Sequence, residues 1–85
     1  MPQRRLIVEA EVGLHARPAA TFVQTATRSP ATVTVAKGDG APVNAKSILS
    51  VLALDVKKGD AITISTEGDG AEELLDELAS IAGAP

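Results

Sequence analysis

Four short stretches of this chain show the apolar–polar alternation or the β-branched content that is typical of strands. They span residues 6–12, 32–36, 41–44 and 61–66. In the first stretch Val8, Ala10 and Val12 fall on one face, as a half-buried strand requires. Pro42 cannot donate to a ladder of hydrogen bonds, so the third strand is expected at a sheet edge.

Apolar residues spaced three and four apart predict helices between and after these strands. The apolar positions are Ala19, Phe22, Val23 and Ala26 in residues 16–27, and Leu74, Leu78, Ile81 and Ala82 in residues 71–82. A shorter apolar run over residues 47–54 begins with Ser47, a residue type that favours the N-cap position. The resulting order β-α-β-β-α-β-α predicts one α+β domain, residues 1–85, with an antiparallel sheet covered on one face by helices.

The composition argues against several classes of protein. A single Phe, with no Trp or Tyr, leaves no platform for stacked bases, so no nucleic-acid partner is expected. Without cysteine and with one histidine, we expect no metal site and no cofactor. No apolar run approaches the roughly 20 residues that span a bilayer, and the first residues lack the apolar core of a secretory signal. These features predict a cytoplasmic protein with no membrane insertion.

Charge is distributed unevenly along the chain. Residues 1–58 hold all eight Lys and Arg with four acids, a net charge of +4, whereas residues 59–85 hold seven acids and no base, a net charge of −7. A solvated acidic last helix accounts for most of this asymmetry. If residues 1–58 form the functional site, their positive charge also favours the binding of phosphate and of an acidic partner surface.

The only histidine, His15, lies at the predicted start of the first helix. A helix start exposes free amide N–H groups and carries about half a positive charge, which favours an anion. Arg17 adds a permanent cation two residues on, so a neutral imidazole here is suited to accept a phosphoryl group. The alternatives are an N-cap or loop histidine without chemistry, a general base in a small enzyme with a substrate cavity, and a solvated Arg17.

Two segments resemble a known family. Residues 13–19, Gly-Leu-His-Ala-Arg-Pro-Ala, resemble the signature of HPr, the histidine-containing phosphocarriers of the bacterial phosphoenolpyruvate-dependent sugar phosphotransferase system. Residues 44–49, Asn-Ala-Lys-Ser-Ile-Leu, resemble the second signature of that family in register with the first. The resemblance covers nearly the whole chain and implies an open-faced β-sandwich, in which three helices cover one face of a four-stranded antiparallel sheet.

The resemblance also implies a function. His15 would accept a phosphoryl group on Nδ1 from the phosphoenolpyruvate-dependent first enzyme, Arg17 would stabilise the phosphate, and the group would pass to sugar-specific permease subunits. The chain is then expected to be a monomeric protein substrate of phosphotransferases and not itself an enzyme. A paralogue in a nitrogen-related signalling chain stays an alternative. Asp55 is a departure, since small residues, often glycine, are typical of that point in the family.

Ser47 and the apolar residues that follow it each have two interpretations. The family implies that Ser47 is a regulatory site for an ATP-dependent kinase and its phosphatase, whereas a plain N-cap needs no regulation. The family also implies that Ile48, Leu49 and Leu52 dock partner enzymes, while the alternative assigns all three to the core. The competing function is a regulatory module that binds enzymes or transcription regulators according to the phosphorylation of Ser47 or His15.

Overall fold

The computed structural model describes residues 2–10, 13 and 16–84, with only the backbone described at Ala16 and Arg17. Its elements are β1 (Gln3–Ile7), α1 (Ala16–Thr27), β2 (Thr32–Lys37), β3 (Val43–Asn44), α2 (Ile48–Ala53), β4 (Ala61–Glu67) and α3 (Ala71–Gly83). This is the predicted order of strands and helices. None of the described helices is long and apolar enough to cross a membrane.

The four strands form one antiparallel sheet in the order β1-β4-β2-β3. Strand β4 pairs with both β1 and β2, so that Ile62 lies opposite Leu6 on one side and Lys37 on the other. Strand β3 follows Pro42, pairs with β2 and is the last strand in the sheet order of the described residues, which confirms its predicted position at the edge of the sheet.

One face of the sheet is covered and the other is open. In β4 the residues alternate: Ile62, Ile64 and Thr66 are buried, whereas their neighbours are partly exposed. The helices cover this buried face with the apolar residues Ala19, Phe22, Val23 and Ala26 of α1, Val51 of α2, and Leu74, Leu75, Leu78 and Ala82 of α3. The spacing of apolar residues located the buried face of α1 in full and most of that of α3, where Leu75 is buried in addition and Ile81 is only partly buried. The α+β prediction is confirmed.

The first strand differs from its prediction. It covers Gln3–Ile7, whereas the alternation had indicated residues 6–12, of which 11 and 12 lie outside the described residues. Val8 is fully buried although it lies beyond the strand, and its backbone bonds to a loop: its amide donates to the Asp60 carbonyl at 2.9 Å, and its carbonyl accepts from the Gly59 amide at 2.8 Å. The alternation of apolar and polar residues extends past the strand because a side chain can be buried by a loop as well as within a sheet.

Candidate functional site

The two residues predicted to carry the chemistry are not described in full. His15 lies outside the described residues, and so does the side chain of Arg17, whose backbone belongs to the first turn of α1. Their roles therefore stay predictions. The structure does describe what surrounds this part of the chain: Gly13 on one side and the start of α1 at Ala16 on the other.

Gly13 is fixed by its backbone. Its amide donates to the Ala10 carbonyl at 2.9 Å, and its φ of +64° belongs to the left-handed region that favours glycine. A Cβ at this position would lie 2.1 Å from the Val56 carbonyl oxygen and 2.8 Å from the Lys57 Cα. The chain two residues before His15 thus rests directly on residues 54–60, which we call the support loop.

The first half of the support loop turns at Asp55. Its φ of +53° makes it the one residue other than glycine with positive φ in the described part of the chain. The Asp55 amide donates to the Leu52 carbonyl at 3.1 Å, and its carbonyl accepts from Lys37 Nζ at 3.1 Å. Lys57 Nζ lies 3.6 Å from Asp55 Oδ2. Glycine adopts this left-handed conformation without strain, so the small residue that the resemblance implies at this position would fit the turn.

The second half of the support loop is a turn closed by Asp60. The Asp60 carboxylate accepts from the Lys57 amide at 2.9 Å, and the Asp60 amide donates to the Lys57 carbonyl at 3.0 Å. Lys37 Nζ lies 3.5 Å from Asp60 Oδ2. The hydrogen bond from the Lys57 amide, aided by the positive charge of Lys37, outweighs partial burial and lowers the pKa of the Asp60 carboxyl.

Ser47 is the N-cap of α2. Its Oγ accepts a hydrogen bond from the Ser50 amide at 3.3 Å, and its carbonyl accepts from the Val51 amide at 3.0 Å. The backbone before it is held by Asn44, whose carbonyl accepts from the Ser47 amide at 3.2 Å. The capping function is therefore shown by geometry, whereas the regulatory function of the same hydroxyl stays a prediction.

The apolar residues of α2 divide between core and surface. Val51 is fully buried, Leu52 is partly buried against the core, and Ile48 and Leu49 are 38% and 77% exposed. A helix of six residues cannot turn all of its apolar side chains inward, because successive residues point about 100° apart. An exposed apolar surface at Ile48 and Leu49 thus follows the N-cap, and its docking role stays a prediction.

Two features of the site had no counterpart in the sequence analysis. The sequence placed Gly13 in the first signature segment without indicating its contact with Val56, and it assigned no role to Lys37. The sequence also did not indicate that one lysine would contact both the Asp55 carbonyl and the Asp60 carboxylate. Such contacts join residues about 20 positions apart, so only the fold brings them together. No group of three or more His, Cys, Asp or Glu within the described ranges could hold a metal ion.

Comparison with known proteins agrees with this architecture. The family model described as "PTS HPr component phosphorylation site" matches residues 2–83. The phosphocarrier protein HPr of Streptomyces coelicolor is 47% identical over 81 residues, covering 95% of this chain and 87% of the relative. The HPr-like protein Crh of Bacillus subtilis is 42% identical over 80 residues, covering 94% and 93%. The crystal structure of HPr from Bacillus anthracis matches with a TM-score of 0.90 and 48% identity over 95% of both chains. This chain belongs to the HPr family of phosphocarriers of the phosphotransferase system.

Proposed function

We propose that this chain carries a phosphoryl group on His15 from the phosphoenolpyruvate-dependent first enzyme to sugar-specific permease subunits. The observation that carries the proposal is the fixed backbone on both sides of His15. Gly13 packs on the carbonyl of Val56, and α1 begins at Ala16. A short segment between a packed glycine and a helix N-terminus suits a group that must meet two different enzymes in one geometry.

The transfer step requires a neutral imidazole whose proton is on Nε2. The lone pair of His15 Nδ1 forms the new bond to phosphorus, while the bond from phosphorus to the donor enzyme breaks and its electron pair stays with the donor. Onward transfer is the reverse: a nucleophile of the permease subunit bonds to phosphorus, and the N–P electron pair returns to Nδ1. Positive charge from the start of α1 and from Arg17 offsets the charge of the phosphoryl oxygens.

A carrier has to release its cargo as readily as it accepts it. Each 1.4 kcal/mol of extra stabilisation shifts the transfer equilibrium about tenfold. Interactions at a helix terminus are worth ~0.3–2 kcal/mol, which is modest enough to leave that equilibrium near balance. The donor and acceptor enzymes then supply the remaining positioning, in keeping with a protein substrate that performs no turnover alone.

The proposal is tested by intact mass after incubation with phosphoenolpyruvate, Mg²⁺ and an active first enzyme. The expected result is one phosphoryl adduct that brief acid treatment removes and that is absent from His15→Ala. The matched control is Ser47→Ala, which should acquire the same adduct. An adduct that survives acid, or one retained by His15→Ala, would contradict the assignment of His15 as the acceptor.

The exposed apolar surface of α2 belongs to the same proposal as the docking site for both partners. Ile48, Leu49 and Leu52 lie on one short helix, and Leu49 in particular is 77% exposed. A large apolar side chain that gains nothing from the core is a candidate contact for a partner protein. A monomeric, cytoplasmic carrier without cofactor is the form we propose for these encounters.

A regulatory module is the second candidate function. It is favoured by the partly exposed Ser47 hydroxyl at the N-cap of α2, immediately before Ile48 and Leu49. A phosphate there would add about −1.5 to −2 charges beside an apolar docking surface. A His15→Ala protein that still regulates its targets but no longer supports sugar uptake would favour this function. A nitrogen-branch role would instead show as phosphoryl transfer without any sugar-permease acceptor.

A further inference from the structure

We propose that Lys37 is a positioning residue for phosphoryl transfer, because its single ammonium group holds both halves of the support loop on which Gly13 rests. The inference depends on the proposed function, since it concerns the rate at which His15 accepts the group. Lys37 acts through the loop and through Gly13, without contacting the phosphoryl group itself.

The ammonium group joins the two turns of the support loop. Lys37 Nζ donates to the Asp55 carbonyl at 3.1 Å and lies 3.5 Å from Asp60 Oδ2. Its backbone is fixed in turn, because Lys37 is the last residue of β2 and lies opposite Ile62 of the central strand. One rigid strand therefore fixes the distance between the end of α2 and the turn that precedes β4.

The support loop in turn holds the chain that leads to His15. Val8 exchanges hydrogen bonds with the loop, from its amide to the Asp60 carbonyl and from the Gly59 amide to its own carbonyl. Gly13 packs on the Val56 carbonyl at the other end of the same loop. The support loop therefore holds the backbone before His15 at two points, Val8 and Gly13. A change in the distance between Val56 and Asp60 would displace Gly13 relative to Val8.

Because the Lys37 and Asp60 side chains are partly exposed, the effect of their contact on positioning can be distinguished from its effect on the stability of the whole fold. The Lys37 and Asp60 side chains are 37% and 34% exposed, so solvent screens their attraction and the global contribution is small. Phosphoryl transfer is more sensitive, because a displacement of about 1 Å between reacting groups lowers a rate by roughly 100-fold. Loss of Lys37 should therefore change the transfer rate far more than the midpoint of unfolding.

The test compares Lys37→Met, Lys37→Arg and the control Arg5→Met as acceptors for the phosphorylated first enzyme. Met keeps the length of the lysine stem without the charge, and Arg5 is an exposed cation of β1 outside the support loop, so both Met variants remove one positive charge. We expect Lys37→Met to lower kcat about tenfold with KM changed less than about twofold. Lys37→Arg should recover most of kcat, since a guanidinium can donate to both a carbonyl and a carboxylate.

A loss of kcat in Arg5→Met equal to that in Lys37→Met would overturn the inference, as would a change confined to KM, which indicates a docking charge. Amide NMR of the free protein provides a second measure: the Gly13 amide signal should shift in Lys37→Met and stay unchanged in Arg5→Met. A Gly13 signal that is the same in both variants would also overturn the inference. Wild-type protein that accepts no phosphoryl group from an active donor would instead refute the proposed function, and the NMR comparison would remain decisive for the loop.

Discussion

Replacing Gly13 by alanine tests the contact that links the His15 segment to the rest of the fold. Two penalties are expected. An alanine held at φ +64° costs about 1–2 kcal/mol. Its Cβ would also lie 2.1 Å from the Val56 carbonyl oxygen, whereas contacts under 3.0 Å essentially never occur and ordinary ones begin at 3.4 Å, so the two backbones must separate by 0.9–1.3 Å. Overlap of this kind adds about 1–3 kcal/mol.

Gly38→Ala is the matched control. Gly38 also has a positive φ, +56°, but a Cβ there meets nothing within 4 Å. In both variants alanine pays the cost of the left-handed conformation and restricts the unfolded chain. The difference between their free energies of unfolding therefore reports the contact with Val56 alone. We expect Gly13→Ala to be less stable than Gly38→Ala by about 1–3 kcal/mol. In a domain of this size, each kcal/mol lowers the Tm by roughly 4–8 °C.

Urea unfolding followed by far-ultraviolet circular dichroism is the appropriate assay, because the chain has no Trp or Tyr for fluorescence. Phosphoryl acceptance is measured on the same samples under conditions where both variants are folded. Gly13→Ala should accept the group up to about 100-fold more slowly than Gly38→Ala, since a shift of about 1 Å enters the acceptor geometry directly. Equal unfolding midpoints in the two variants would refute the contact itself, and equal rates would refute its link to His15.

Four further measurements address individual residues. Ser47→Ala should lower the free energy of unfolding by about 1 kcal/mol, whereas Ser47→Asp, which can also cap the helix, should not; equal losses would contradict the N-cap. Leu49→Ala should change stability by less than about 0.5 kcal/mol but raise KM for the first enzyme about fivefold, whereas an unchanged KM would argue against docking at this surface. Asp55→Gly should be more stable than Asp55→Ala by about 1–2 kcal/mol, and the opposite order would contradict the left-handed turn. The pKa of the Asp60 carboxyl is lowered from 3.8. The stability that the ionised carboxylate adds to the folded protein is therefore present above pH 3.8 and is lost as the pH falls through the lowered pKa. The urea midpoint should therefore decrease more in wild type than in Asp60→Asn when the pH is lowered from above 3.8 to below it. An equal decrease in both proteins would show that Asp60 does not cause the loss of stability.

The fold was largely predictable because its elements obey local rules. The helix α1 spans residues 16–27, as its apolar spacing indicates, and the four apolar residues of its predicted face are all buried. The N-cap at Ser47 followed from residue type alone. The end of β1 did not follow, since the alternation through Val8 and Ala10 has the same period whether a sheet or a loop buries the side chain.

The sequence offered a prediction for the chemistry of the candidate site but none for its supports. A lone histidine two residues before Arg17, at a predicted helix start, led to the proposed chemistry, which stays a prediction. The support loop depends on Lys37, whose partners lie 18 and 23 positions further along the chain. Nothing in the residues around Lys37 specifies those partners, because they are selected by strand pairing and by the left-handed turn at Asp55.

The short helix α2 connects the two surfaces that the proposed function needs. Its six residues span about 9 Å, with Ser47 and the exposed Leu49 at one end and the support loop at the other. A partner that binds Leu49 is therefore held about one helix length from the loop that carries Gly13, and the helix fixes its orientation relative to that loop. A phosphate on Ser47 would lie at the docking end, so it should weaken binding and raise KM more than it lowers kcat. Changes in the support loop should do the opposite, which makes recognition and positioning separable in one small protein.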